Sequence, residues 1–223
     1  LRHARSVIVS SEEAAQKISE IRDDLPILVM PLAHEICEPV TQWPSEQLVV
    51  SVGWIDASKR PDEVVHSLAR MSARLLFVGE ASDEVQEQIM TLAEKLGMAA
   101  RVSFTGRLSD DEYDRTLRSA SLGIQLRLNG GRGERSAAVN DLRSRGIPVI
   151  CDIGYEESFS IDEIEQHARE LLYEESVWKA ASEESLAISR AWTFSDVSKS
   201  LTTWVTRSPG HEAATIHQAT SLG

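Results

Sequence analysis

The sequence predicts an α/β protein built on a doubly wound parallel sheet, with helices on both faces and a helical C-terminal segment. Three observations predict it. Short apolar, β-branched runs alternate with helical patterns as far as residue 153. Those runs are apolar on both sides instead of alternating, as in parallel strands covered by helices above and below. After residue 155 only helical patterns remain. A repeated β-α-β rhythm of this kind selects a Rossmann-like, doubly wound sheet over a sandwich or a bundle.

The elements follow in order. "SVIVS" (6–10) and "ILVMP" (27–31) read as strands around a helix at 11–22. "TQWPSEQ" (41–47) separates this unit from the main set, so residues 1–30 read as the end of another domain or a linker unit. The main set opens with a strand at 48–53, ending on Gly53, and a helix at 61–72 started by Pro61, a residue suited to the first helical turn. A strand at 74–79, a helix at 83–96 and a strand at 101–106 follow. The helix at 110–119 is announced by Ser109 as N-cap and Glu112 three residues later, a capping box. A strand at 122–128, a helix at 135–145 and a strand at 148–153 complete the sheet. Helices at 160–174, 176–191 and 195–206 close the domain 31–207, and the small, polar residues 208–223 read as a tail.

Composition narrows the function. The 223 residues are 42% hydrophobic and 26% charged, ordinary for a globular protein. A formal charge of −12 opposes nucleic-acid binding, which needs a basic face, and a polybasic membrane patch. No run approaches the roughly 20 apolar residues of a spanning helix, so no transmembrane segment is expected. "LRHARSVIVSSEE" lacks the features of a signal peptide and reads as the interior of a longer chain. Cys37 and Cys151 show no metal spacing and fit reduced, structural thiols. A cytoplasmic placement is expected, with peripheral contact at the inner membrane surface compatible with it.

Ligands of open parallel sheets bind beyond the carboxyl ends of the strands. Three such corners carry unusual residues. In "VGWIDASKRPDE", Lys59 and Arg60 sit just ahead of a helix and within reach of an anion. In "FTGRLSDDE", Gly106 lets the backbone approach a flat group. In "LRLNGGRGERSAAVNDLRSRGIPVI", Gly131, Gly133 and Ser136 imitate a dinucleotide fingerprint, but after the sixth strand instead of the first, which disfavours nicotinamide binding. A helix starting near Arg135 would instead point its free N–H groups and positive dipole at a diphosphate. Glu134 would then stand at the mouth of the helix and Asp141 almost two turns on, about 10 Å along the axis. Two carboxylates so spaced suit hydroxyls on either side of a pyrophosphate. Arg127, Arg132, Arg135, Arg143 and Arg145 reverse the sign of the charge locally, with the first three placed for anions and the last two on the solvated side of the helix. His34, after "MPLA", is a weaker candidate for the cleft.

These corners, in this order, resemble the C-terminal domain of the retaining glycosyltransferases of the GT-B fold, family 4 in particular. "SVGWIDASKRPDEVVHSLA" looks like that family's glycine-to-lysine segment, and "LLFVGE" and "VSFTGRLSDDEYDRTLRSASLGIQLR" look like its next two units. "GRGERSAAVNDLRSRGIPVICDIG" looks like its paired-acid motif. The likeness covers about residues 5–206. It implies that Lys59 and Glu134 are the catalytic pair, Lys59 neutralising the donor diphosphate and Glu134 holding the transferred sugar. Ser136 and Ala137 would offer N–H groups to the phosphates, and Asp141, in place of the usual second glutamate, would hold the ribose. Gly106, Arg107 and Leu108 would border the base, and Gly53, Arg60, Arg127, Gly133 and Arg135 complete the implied donor site. Trp54 and Arg135 depart from the family, the first standing where an arginine is common and the second where a small hydroxyl residue is usual. The implied reaction transfers a sugar from a nucleoside-diphosphate sugar with retention, with no cofactor and no metal. It further implies an acceptor of unknown kind, bound by an N-terminal domain missing from this chain, of which residues 1–30 are the end. A non-catalytic nucleotide-sugar-binding or assembly module derived from the fold is the alternative.

Overall fold

The computed structural model describes residues 2–35, 37–128, 136–152, 158–190 and 193–207. Gly131, Arg132, Gly133, Glu134, Arg135 and the 208–223 segment, all singled out above, lie outside these residues.

The described residues form two parallel sheets. β1 (Val7–Val9) and β2 (Ile27–Val29) pair with each other, Ile8 opposite Leu28, and flank helix α1 (Glu12–Ile21), which Ser11 caps. α1 buries none of its residues. The main sheet comprises β3 (Leu48–Val52), β4 (Arg74–Val78), β5 (Val102–Phe104), β6 (Leu122–Gln125) and β7 (Val149–Cys151), in the order β5-β4-β3-β6-β7. Its intervening helices are α2 (Pro61–Leu68), α3 (Asp83–Lys95), α4 (Asp110–Arg118) and α5 (Ala137–Arg143), and α6 (Ile161–Tyr173), α7 (Glu175–Arg190) and α8 (Phe194–Arg207) follow β7. All the strand pairs are parallel, so the fold class read from the sequence holds.

Strand periodicity divides the core into two layers. Val49, Leu75, Phe77, Leu122 and Ile124 face one side, where α2, α3 and α6 supply Val64, Leu68, Ile89, Ala93 and Ile164. Leu48, Val50, Val52 and Val78 face the other, against Leu117 of α4 and Leu142 of α5. Burial on both faces explains why the strands read as continuous apolar runs. The predicted capping box at α4 forms, with Ser109 N–H donating to Glu112 Oε2 at 3.0 Å. Trp178 of α7 anchors the helical segment. Its indole is buried, donates to the Ser121 carbonyl at 2.8 Å and tilts against Trp43 at 6.4 Å.

The strand order positions the site. From β3 the chain winds outward through β4 to β5, then returns to lay β6 on the opposite side of β3. β3 and β6 pair over only two residues, Val49 with Leu122 and Val50 with Gly123. Beyond them the Gln125 side-chain amide takes over, its oxygen accepting from Val52 N at 2.6 Å and its nitrogen donating to Val52 O at 3.3 Å. The two strands thus part at their carboxyl ends, where a crevice opens at a reversal of strand order. Beside it the β3 and β4 exits cross closely: a Cβ on Gly79, whose φ is +137°, would stand 2.2 Å from the Gly53 carbonyl oxygen. Gly79→Ala should therefore destabilise the protein by about 3 kcal/mol, strain and displacement combined, as measured by chemical denaturation.

Candidate active site

A cleft of about 480 Å³ opens beyond the carboxyl ends of β3, β4 and β5 and reaches the first turn of α5. Its lining brings together Gly53, Gly106, Arg107, Leu108, Ala137 and Asp141 from distant parts of the sequence. Trp54, Glu80, Asp110 and Tyr113 line it as well, and the Trp54 indole is 58% exposed. Ser136 caps α5, its hydroxyl accepting from Val139 N at 3.3 Å. The N–H groups of the first helical turn have no partner within a helix, and Ala137 and Ala138, which belong to that turn, line the cleft. The charged residues of the described lining are Arg107 and three acids, Glu80, Asp110 and Asp141.

Two further cations, Lys59 and Arg127, stand outside the cleft lining, beside the ends of β3 and β6. Lys59 closes a 3-10 turn (Ala57–Lys59) capped by Asp56 and is only 7% exposed. Its ammonium lies against Gly53, where a Cβ would stand 2.6 Å from Nζ, and donates to the Val52 carbonyl. Burial above all, and then the charge of Arg127, push the Lys59 pKa down to about 8, against the pull of Asp56. Arg127 follows β6 and donates from Nη1 to Ser58 Oγ at 3.1 Å, which joins it to the same turn.

Arg60 stands under that turn and not on the cleft lining. It takes the left-handed conformation, with φ 51° and ψ 48°, and caps α2. Its guanidinium donates to Glu63 at 2.8 Å, to the Phe159 carbonyl at 2.5 Å and to the carboxylate of Asp152. Four of its five N–H groups are used in this way, which makes it a support for the Lys59 turn. Asp152 is 0% exposed, and its other oxygen accepts the Arg127 N–H at 2.8 Å. Burial raises its pKa, in spite of that N–H and the Arg60 charge.

Two further expectations are corrected. His34 does not line the cleft itself: it is buried in an adjoining hollow of about 240 Å³ that shares Ala137 and Asp141 with the cleft, and its Nε2 meets Ser189, whose hydroxyl is 2.7 Å away. Arg145 is 8% exposed and donates to Asp114 Oδ1 at 2.7 Å, so it is not on the solvated side of α5. An aspartate from α4 was the partner that helix periodicity could not show. Glu134, Gly133 and Arg135 lie outside the described residues. Sequence reasoning passed over Tyr113 and Asp152. The signals were present: an aromatic residue within "DDEYDRTLR", and an acid directly after the apolar "PVIC".

Comparison with known proteins gives a family and a fold. The model of a family described as "Glycosyl transferases group 1" matches residues 38–178. No curated protein matches in sequence. Among solved structures, a TarM mutant from S. aureus, in complex with Fondaparinux, alpha-GlcNAc-glycerol and UDP, superimposes with a TM-score of 0.76 at 15% identity, over 92% of this chain and 44% of that one. HepE from Anabaena, in complex with UDP and glucose, gives 0.75 at 13% identity, over 92% and 64%. Sucrose-phosphate synthase from Thermosynechococcus elongatus gives 0.77 at 13% identity, over 92% and 59%. The chain thus spans between 44% and 64% of the length of these structures.

Removing the Asp152 carboxylate leaves Arg60 without its most buried partner and the Arg127 N–H without an acceptor. Asp152→Ala should destabilise the protein by about 3–5 kcal/mol, read as a lower denaturation midpoint at unchanged slope.

Proposed function

The chain belongs to the group 1 glycosyl transferases, and from that premise we propose that it is the donor-binding half of a retaining glycosyltransferase. One observation carries the reading. A single cleft collects Gly53, Gly106–Leu108, Ala137 and Asp141, and the buried Lys59 and the half-buried Arg127 meet at the turn beside Gly53. The similar structures that hold UDP or a UDP-sugar support a nucleoside-diphosphate sugar as the donor class.

In this reading Gly106, Arg107 and Leu108 border the base and Asp141 accepts from the ribose. The diphosphate lies at the first turn of α5, against the N–H groups of Ser136 and Ala137. Lys59 and Arg127 neutralise it, and Gly133 and Arg135 border it. Glu134 accepts hydroxyls of the sugar to be transferred. Arg60 acts through Lys59, by fixing the turn that carries it. Catalysis comes from stabilising the departing diphosphate and from placing the acceptor, as preorganised charges and dipoles aimed at developing charge do. The reading asks for no cofactor beyond the donor. The acceptor, a glycan, a lipid or a small molecule, is assigned to an N-terminal domain, of which residues 1–30 are the closing unit. Within the chain, 31–207 is the donor domain and 208–223 a tail, and the protein is placed in the cytoplasm or at the inner membrane surface.

Trp54 favours a second reading. An exposed indole at the cleft mouth contributes no charge to a diphosphate, as a module that binds donor without transferring it would tolerate. A full-length protein that binds donor yet neither transfers nor hydrolyses it would decide for the module.

Thermal shift with UDP-, GDP-, ADP- and dTDP-sugars tests donor binding, and one of them at a hundred times its Kd should stabilise by about 2.7 kcal/mol. Failure of all four would remove the donor reading. Glu134→Ala should weaken binding of that donor sugar by about tenfold while leaving the free nucleoside diphosphate unaffected.

Lys59 predicts a pH dependence. Its pKa in the unliganded protein is about 8, and a bound diphosphate raises it by favouring the charged form. Binding above pH 8 therefore takes up a proton, and affinity falls as pH rises. Between pH 8 and 9 the dissociation constant should increase by about three- to tenfold in calorimetric titrations. Lys59→Gln should bind more weakly and lose that slope.

A further inference from the structure

Tyr113 and Asp141 both line the cleft and come from different walls of it, α4 and α5. The Tyr113 phenol donates to Asp141 Oδ2 at 2.8 Å. Burial first, and then the Asp141 charge, raise the phenol pKa above its ordinary value, so it remains a donor at any physiological pH.

The bond belongs to a polar clasp. Arg145 donates to Asp114 Oδ1 through Nε at 2.9 Å and Nη2 at 2.7 Å, and to the Asp141 backbone carbonyl through Nη1 at 2.7 Å. α5 is thereby fastened to α4 on both sides of Asp141, once through its carboxylate and once through its main chain. A carboxylate is acceptor only, and on a free side chain it turns to meet whatever donor arrives. With Oδ2 engaged by the phenol it cannot turn, and one oxygen is left for the ligand in a set orientation.

We propose that Tyr113 is a positioning residue that sets the Asp141 carboxylate to accept from the ribose diol, so that the cleft prefers ribonucleoside over 2′-deoxyribonucleoside diphosphates. The inference rests on the donor reading and deepens it: donors built on a deoxyribose, the dTDP-sugars among them, are disfavoured. Asp141 makes the contact and Tyr113 acts only through it. A charged hydrogen bond held in fixed geometry carries more discrimination than a mobile one, because the deoxy analogue leaves a desolvated acceptor unpaired.

The test is calorimetric titration of the full-length protein with UDP, ADP and GDP, each beside its 2′-deoxy counterpart. Whichever base binds, the ribo form should bind about tenfold or more tightly than the deoxy form. Tyr113→Phe should shrink that ratio to about twofold, by weakening the ribo form and leaving the deoxy form almost unchanged. Asp141→Asn should do the same, and the double variant should add little, as expected when two residues act as one unit. Asp114→Asn, which loosens the clasp away from the carboxylate, should lower the unfolding temperature and keep the ratio. A merely structural Tyr113 would weaken ribo and deoxy forms alike. Full preference retained in Tyr113→Phe, or in Asp141→Asn should Tyr113→Phe not fold, overturns the inference while leaving the donor reading intact. So does equal binding of ribo and deoxy forms by the unaltered protein. Absence of binding by any of the six nucleotides overturns both.

Discussion

The carboxylate of Asp152 is the constraint on which the site depends. It is fully buried, and its two oxygens hold two different segments: Oδ2 the Arg60 guanidinium at the start of α2, Oδ1 the Arg127 N–H just past β6. Asp152 itself directly follows β7. One side chain therefore ties together the exits of β6 and β7 and the turn that follows β3. A buried charge is tolerated only where partners satisfy it, and here the partners are the parts that must stay in register for the crevice to keep its shape. The left-handed backbone of Arg60 belongs to the same arrangement, because that conformation turns its side chain under the Lys59 turn while the main chain enters α2.

Around this anchor the charges are separated. Among the described residues Glu80, Asp110 and Asp141 outnumber Arg107 on the open cleft, and Lys59 and Arg127 meet outside its lining, at the turn that follows β3. Burial above all, and then the nearby Arg127 charge, lower the pKa of Lys59 by raising the cost of its charge. An anion seated beside the two cations would relieve that cost, so the unliganded protein holds part of the electrostatic stabilisation of an anionic ligand in advance. The acids on the rim act in the other sense. They leave phosphates unfavoured at the cleft mouth and favour hydroxyl-bearing groups there.

The small sheet has a different character. β1 and β2 pair over three residues each, and α1 buries no side chain. A two-stranded unit is marginal by itself, and Ile8 and Ile21 remain exposed. In the reading proposed above, this unit closes an N-terminal domain.

The sheet, the order of its helices and the α4 capping box were legible before folding, because these follow from local periodicity and from caps within one turn. The sequence also placed Gly53, Gly106, Ala137 and Asp141 at strand exits and helix starts, since the carboxyl ends of a parallel sheet converge wherever the chain makes right-handed crossovers. Only the tertiary structure decided which charges face the cleft. Arg60, Arg145 and His34 each read as available in the sequence and are each buried against partners 31 to 155 residues away. The same holds for Tyr113 and Asp152, whose roles are set by Asp141, Arg60 and Arg127 on other elements. Periodicity says which way a side chain points relative to its own helix or strand. The charge it meets there comes from chain that only folding brings near.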